Sequence, residues 1–168
     1  MRFKIISGGQ TGVDRAALDA ALDLGIEIGG FLPKGRKALD GVVPGKYINM
    51  IELESDDYIE RTKANVMAAD ATIIFLPRRN HSSPGTNRTR GFCQEEDKPM
   101  FIGTRGDVVD CHTWMDSKIV TLGVSLFSNR PISFNCAGPR DNPRGGNEIG
   151  SVYEDAYRFF LNVFEMSK

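Results

Sequence analysis

Ser7-Gly8-Gly9-Gln10-Thr11-Gly12-Val13-Asp14-Arg15 joins a short apolar run, Phe3, Ile5 and Ile6, to a segment in which Val13, Ala16, Ala17, Ala20, Ala21 and Leu24 recur at helical spacing. The run reads as a strand and the segment as a helix with one face against a sheet, so the stretch between them is a turn at the strand's carboxyl end. The first amides of a helix have no partner inside it, and the aligned peptide dipoles leave about half a positive charge there. Glycines bring the main chain close to a ligand, and Gln10 and Thr11 can add hydrogen bonds. The pattern predicts a phosphate cradle. Against the dinucleotide fingerprint it places Ser7 where the first glycine belongs, and no Gly-Lys-Ser/Thr follows to make a P-loop. A ligand-free alternative makes Thr11 an N-cap and Asp14 its reciprocal partner, but leaves the paired glycines and Gln10 without a role.

Beyond Gly25, a suitable helix stop, residues 26–32 form a second strand and complete a β-α-β unit. NAD-binding units carry an acidic residue near the end of that strand to hold the ribose. Here Lys34-Gly35-Arg36-Lys37 follows, which favours an anionic group over a free ribose diol. Residues 38–54 read as a long loop with one short strand over 47–53, either a lid on the first site or a surface excursion. Ser55-Asp56-Asp57 starts a helix whose buried stripe is Tyr58, Ile59, Thr62, Val66 and Ala69.

Ala71 to Leu76 is a continuous apolar run, as expected of a parallel strand covered on both faces. Its exit, with Arg78, Arg79, a solvated His81, Gly85 and Thr86, offers a second cradle before a helical segment ending near Asp97. Residues 99–103 make another strand. Residues 107–125 make a helix with Val108, Val109, Trp114, Ile119 and Leu122 toward the core. Cys111-His112 point in different directions there and make no metal site. Ile132 to Cys136 is the next strand, and its exit, Ala137-Gly138-Pro139-Arg140, again combines turn residues with a basic side chain. Asn142 to Asn147 leads into a last helix with Ile149, Val152, Tyr153, Ala156, Phe160, Val163 and Phe164 on its apolar face.

The alternation predicts a single doubly wound α/β domain with a mainly parallel sheet in a three-layer α/β/α arrangement. Such domains bind ligands outside the carboxyl ends of the strands, where strand order reverses. The candidate binding residues are accordingly Gly8, Gly9, Gln10, Thr11, Gly12, Asp14 and Arg15; Lys34, Gly35 and Arg36; Gly85 and Thr86; and Gly138 and Arg140. A chain of 168 residues can bury about 70% of its unfolded surface in one core. The net charge of -1 supplies no basic field for nucleic acid, and no apolar run is long enough to cross a membrane. Cys93, Cys111 and Cys136 are odd in number and widely spaced, against a disulfide framework or structural zinc. With a first strand starting so near Met1, the expected location is the cytoplasm.

Ser7 to Asp19, Gly29-Gly30-Phe31-x-Pro33-Lys34-Gly35-Arg36, Arg61-Thr62-x-x-Asn65-Val66 and Ala137-Gly138-Pro139-Arg140 together resemble the circularly permuted YpsA-like family, whose members are also labelled molybdenum carrier proteins. That family lies in the SLOG superfamily of Rossmann-like domains. The resemblance implies a phosphorylated, nucleotide-like ligand, with molybdenum cofactor the named candidate, and a homo-oligomer. It matches Gly8 to Asp14 to the family's first ligand loop, Lys34 to Arg36 to a flanking basic turn, Ser83 to Thr86 to the second loop and Gly138 to Arg140 to the third. Relatives commonly carry two glycines before the threonine of the second loop, where this chain has Pro84-Gly85-Thr86. In the related phosphoribohydrolases a catalytic glutamate follows that loop, whereas here no acid comes before Glu95 and Glu96. The expectation is thus a binding or carrier protein with no metal held by protein groups. A nucleotide-processing hydrolase using Asp14 or a loop-borne acid, with Arg15 or Arg140 stabilising charge, is the alternative, and an NADP-dependent oxidoreductase is a third reading.

Overall fold

The computed structural model describes residues 3–126, 130–141 and 152–168. The first strand, β1 (Phe3–Ile6), leads through the glycine turn into α1 (Val13–Asp23) and β2 (Ile28–Leu32). A single 3-10 turn, Lys34–Arg36, precedes a two-stranded hairpin, β3 (Lys37–Ala38) and β4 (Gly41–Val42), and then β5 (Met50–Glu52). The chain continues through α2 (Tyr58–Ala68), β6 (Ala71–Phe75), α3 (Pro84–Glu95), β7 (Met100–Gly103), α4 (Val108–Leu126), β8 (Ile132–Ala137) and α5 (Val152–Ser167).

Six of the strands form one sheet in the order β5-β2-β1-β8-β6-β7, and every pairing in it is parallel. From β1 to β2, and from β7 back to β8, the chain steps one way along the sheet; from β5 to β6 and β6 to β7 it steps the other. Right-handed crossovers therefore put α1 and α4 on one face and α2 and α3 on the opposite face. The packing agrees, with α5 lying against α1 and α4, and α2 against α3. The expected three-layer, doubly wound α/β/α fold is what forms. Because β8 leads toward α5 and its neighbour β6 toward α3, the reversal lies between these two strands, with β1 beside it.

The core follows the patterns that predicted it. Ala16, Ala17, Ala20 and Ala21 are fully buried, and their small side chains let α1 approach the sheet and α5 closely. All of β6 is buried, as a central parallel strand should be. Phe3, Phe75, Phe134, Phe159, Phe160 and Phe164 fill the α1, α4 and α5 side in edge-on and tilted contacts. Trp114 packs against Phe101 and Phe134 as part of this core.

Three expectations need correction. Residues 38–54 contain the β3–β4 hairpin as well as β5, which is shorter than the strand expected over 47–53. On α4, Val109 is 63% exposed, because the buried ridge runs through Val108, Cys111, Met115, Ile119 and Leu122 at helical spacing and Val109 lies beside it. On α2 the buried side chains are Arg61, Asn65 and Val66, while Tyr58, Ile59 and Thr62 are only half-buried. The expected loop at Asn142 to Asn147, and Ile149, lie outside the described residues.

Candidate functional site

The turn after β1 is held by its own backbone. Gly12 flanks the first residue of α1 with φ of 80°, and no side chain caps the helix, so the Thr11 cap of the alternative reading does not form. The Val13 N–H donates to the Pro139 carbonyl at 3.2 Å. A Cβ on Gly12 would lie 2.6 Å from the Asp141 nitrogen and 2.7 Å from the Pro139 oxygen. Only glycine supplies both that φ and that space, and through it the exits of β1 and β8 become one unit.

The excursion after β2 is strapped across the same turn. Gln10 Oε1 accepts from the amides of Thr11 at 3.0 Å and Leu39 at 2.8 Å. Arg15 donates from Nε to the Gly9 carbonyl at 3.1 Å and grips both oxygens of Asp40 at 2.6 and 2.8 Å. That grip holds the Asp40 carboxyl below the usual carboxylate range, chiefly through the Arg15 hydrogen bonds. Arg15 is thus spent on a protein anion, and the β3–β4 hairpin lies against the first loop.

Asp14 turns back beneath the loop. Its Oδ2 accepts from the Gln10 N–H at 3.2 Å and stands 3.4 Å from Arg61 Nη1, which also donates to the Gly8 carbonyl. Burial pushes the Asp14 carboxyl above its ordinary value, against the pull of Arg61, the Gln10 amide and Arg15. The amides of Gln10, Thr11 and Val13 therefore meet protein acceptors. Among the described residues, those of Gly9, Gly12 and Asp14 donate to nothing in the protein. The open donors at this turn are fewer than the glycine pattern implied, because the Asp14 carboxylate, the Gln10 side chain and the Pro139 carbonyl already occupy three of them.

The remaining candidate residues lie on the same rim, at the carboxyl ends of β2, β6 and β8. Lys34 is exposed, whereas Arg36 donates to the carbonyls of Val43, Pro44 and Tyr47 and so braces the excursion. The Gly35 N–H donates to Glu52 Oε1 at 2.7 Å. At the start of α3, Ser83 is the N-cap and its hydroxyl meets that of the buried Thr86 at 2.7 Å, while Gly85 has open space around it. Arg79 pairs with Asp107 at 2.6 Å. Burial, and Arg78 beside it, push His81 below its ordinary value. Gly138 is wedged between Phe75 and Val13, and Arg140 is exposed. Glu95 and Glu96 come at the far end of α3, away from this rim, and Glu96 faces Lys63 at 3.8 Å.

At the N-terminus of α1, Thr11, Gly12, Arg15, Asp40, Asp141 and Tyr153 line a cavity of about 300 Å³. Tyr153 stacks on Tyr157 and donates to Asp19 at 2.8 Å. This volume is at the lower end for small-molecule sites. Among the described residues no group of three His, Cys, Asp or Glu is placed to hold a metal. The three cysteines are buried, and burial raises each thiol's pKa, which makes them poor ligands and nucleophiles. Arg61 was not among the candidate binding residues, although it stands in the quoted stretch Arg61-Thr62-x-x-Asn65-Val66; one turn on, the Asn65 side chain bonds the Phe31 backbone and pins α2 to β2.

The sequence model of the circularly permutated YpsA SLOG family matches residues 5–164. A search of curated proteins returned no match. Among solved structures, the crystal structure of a "Putative molybdenum carrier protein" from Syntrophus aciditrophicus SB is 32% identical, covers 98% of this chain and 93% of its own, and superposes with a TM-score of 0.76.

Proposed function

This chain belongs to the circularly permutated YpsA SLOG family, and we propose that it is a binding or carrier protein for a phosphorylated, nucleotide-like small molecule held at the carboxyl-end rim of the sheet. One observation carries the reading: the amides of Gly12 and Asp14, unpaired among the described residues, stand at the N-terminus of α1, beside a cavity of about 300 Å³, where the exits of β1 and β8 meet. Unpaired helix amides and the helix dipole favour an anionic group there, and the neighbouring reversal of strand order is where doubly wound domains place their ligands. Binding of this kind asks for no catalytic side chain.

The molybdenum cofactor is the finer candidate, supported by the name of the solved relative. Its phosphate would suit the donors at this rim, and its metal rides on the pterin's own dithiolene, so buried protein thiols are compatible with such cargo. Self-association belongs to the same proposal and is read by light scattering of the purified chain. The test of the ligand class is native mass spectrometry of protein purified without denaturation, followed by calorimetry with nucleoside monophosphates. A co-purifying phosphorylated mass, or saturable binding of a monophosphate and not of its nucleoside, is the expected result. Equal binding of nucleoside and monophosphate would contradict it.

A further inference from the structure

Arg61 is 8% exposed and lies against the turn after β1 from the α2 side. Asn65, one helical turn on, bonds both the N–H and the carbonyl of Phe31 at 2.9 and 3.0 Å, which fixes α2 in register with β2 and hence the place of Arg61. A Cβ on Gly8 would lie 2.7 Å from Arg61 Cζ, so the sequence keeps a glycine where the guanidinium crosses the backbone. Only one nitrogen of that guanidinium is used: Nη1 donates to the Gly8 carbonyl and approaches Asp14 at 3.4 Å. Among the described residues, Nε and Nη2 donate to nothing, and Nε is shielded from solvent.

Those two nitrogens share one edge of the planar group and point their N–H bonds in parallel, the geometry that grips two oxygens of a phosphate or carboxylate. A buried donor left without an acceptor costs about 1–3 kcal/mol, and more when charged, so folded proteins seldom keep one without a use. Tyr58 meets a second cation as well. Lys37 Nζ and Arg61 Cζ lie 5.4 and 5.5 Å from the Tyr58 ring centroid, and Lys37 is exposed, with Asp56 at 3.2 Å.

We propose that Arg61 is an oxyanion receptor of this rim, its Nε–H and Nη2–H taking two oxygens of a ligand phosphate that enters beside Gly8, with Lys37 as an outlying second cation. The half-buried Tyr58 and exposed Lys37 are the side chains that yield to admit it. Asp14 then balances the guanidinium from its other side, which explains why an acid occupies the inner face of a glycine turn otherwise suited to anions. This proposal rests on the binding reading above and adds to it a second oxyanion contact of the same rim, on the α2 side of the turn and outside the cavity at the N-terminus of α1.

The test follows the Arg61 Nε–H resonance of the full-length, nitrogen-15-labelled chain, identified by its loss in Arg61→Lys, during titration with adenosine and guanosine 5'-monophosphates, the two nucleosides and inorganic phosphate. A saturable shift with the phosphorylated probes, and none with the nucleosides, is expected. In calorimetry Arg61→Lys, which keeps the charge and removes the fork, should weaken monophosphate binding about tenfold. Lys37→Ala should weaken it about two- to threefold. Should Arg61→Lys fail to fold, the wild-type resonance decides alone, assigned through its side-chain couplings. Monophosphate binding with an unmoved Nε–H overturns the role of Arg61 and spares the binding reading; no binding of any phosphorylated probe overturns both.

Discussion

Two aspartate–arginine pairs stand at opposite ends of this sheet, and they are built to different standards. At the amino ends of β6 and β8, Asp70 receives both outer nitrogens of Arg130 at 2.8 and 2.7 Å, together with the amide and hydroxyl of Ser133 at 2.8 Å each. Burial pulls the Asp70 carboxyl upward, yet these donors outweigh it and hold it at about 2. At the carboxyl end, the more deeply buried Asp14 shares a single 3.4 Å contact with Arg61, and there burial prevails and raises the carboxyl. A pair that serves stability satisfies its oxygens and nitrogens; a buried pair with an empty edge is a poor source of stability. The first pair closes the bottom of the sheet. The second keeps donors in hand beside the turn proposed to meet a ligand.

The largest expected effect sits in the backbone of the carboxyl end. Gly12→Val must be forced into both a left-handed φ and the main chain of Pro139 to Asp141. Its cost should be about 3 kcal/mol or more in urea unfolding. A cost under about 1 kcal/mol would mean that the two strand exits are not one unit.

Asp70→Asn should cost about 1–2 kcal/mol at neutral pH, the shift from 3.8 to about 2 being discounted for partial exposure. A depressed carboxyl contributes stability above its unfolded value and loses it as pH falls through the folded one. The gap between wild type and variant should therefore close on acidification from 3.8 to about 2. Asp14→Asn should show the opposite slope. Its folded carboxyl holds the proton more tightly than the unfolded one, so wild-type stability declines relative to the variant as pH rises above 3.8. Parallel pH profiles for the two variants would erase the contrast.

The smallest effect belongs to the second glycine turn. Gly85 lies in the first turn of α3 with nothing near it, so Gly85→Ala should be neutral or stabilise by up to about 0.5 kcal/mol in the same urea assay. A loss comparable to that of Gly12→Val would place the two turns in one class after all.

Much of the fold was legible because it rests on local periodicity. The alanine stripe of α1 and the unbroken apolar run of β6 each announce a buried element, and the alternation of strands and helices fixes the layers. The β3–β4 hairpin was not legible, since two-residue strands carry no period. Arg61 and Asn65 were marked only as part of a stretch shared with a family and given no role, because burial patterns count apolar residues, and these two share the buried face of α2 with Val66 while being polar. The positions of the four rim loops followed from the strand exits, but the state of their side chains did not. Arg15 and Arg36 read as charges awaiting a ligand, whereas their partners are Asp40 and the carbonyls of Val43, Pro44 and Tyr47. Thr86 likewise meets Ser83 in a cap. No spacing rule reveals such partners, because they depend on how a long excursion folds back.

The central claim is that ligand chemistry belongs to the carboxyl rim, whereas the Asp70–Arg130 pair at the amino end serves stability alone. Backbone amide shifts of the full-length chain, recorded during titration with adenosine and guanosine 5'-monophosphates, test it most directly. The account predicts saturable shifts at Gly8, Gly9, Gly12, Asp14, Gly138, Arg140 and Asp141, with Asp70, Arg130 and Ser133 unmoved. Shifts centred on the amino end, or none with either monophosphate, would contradict it.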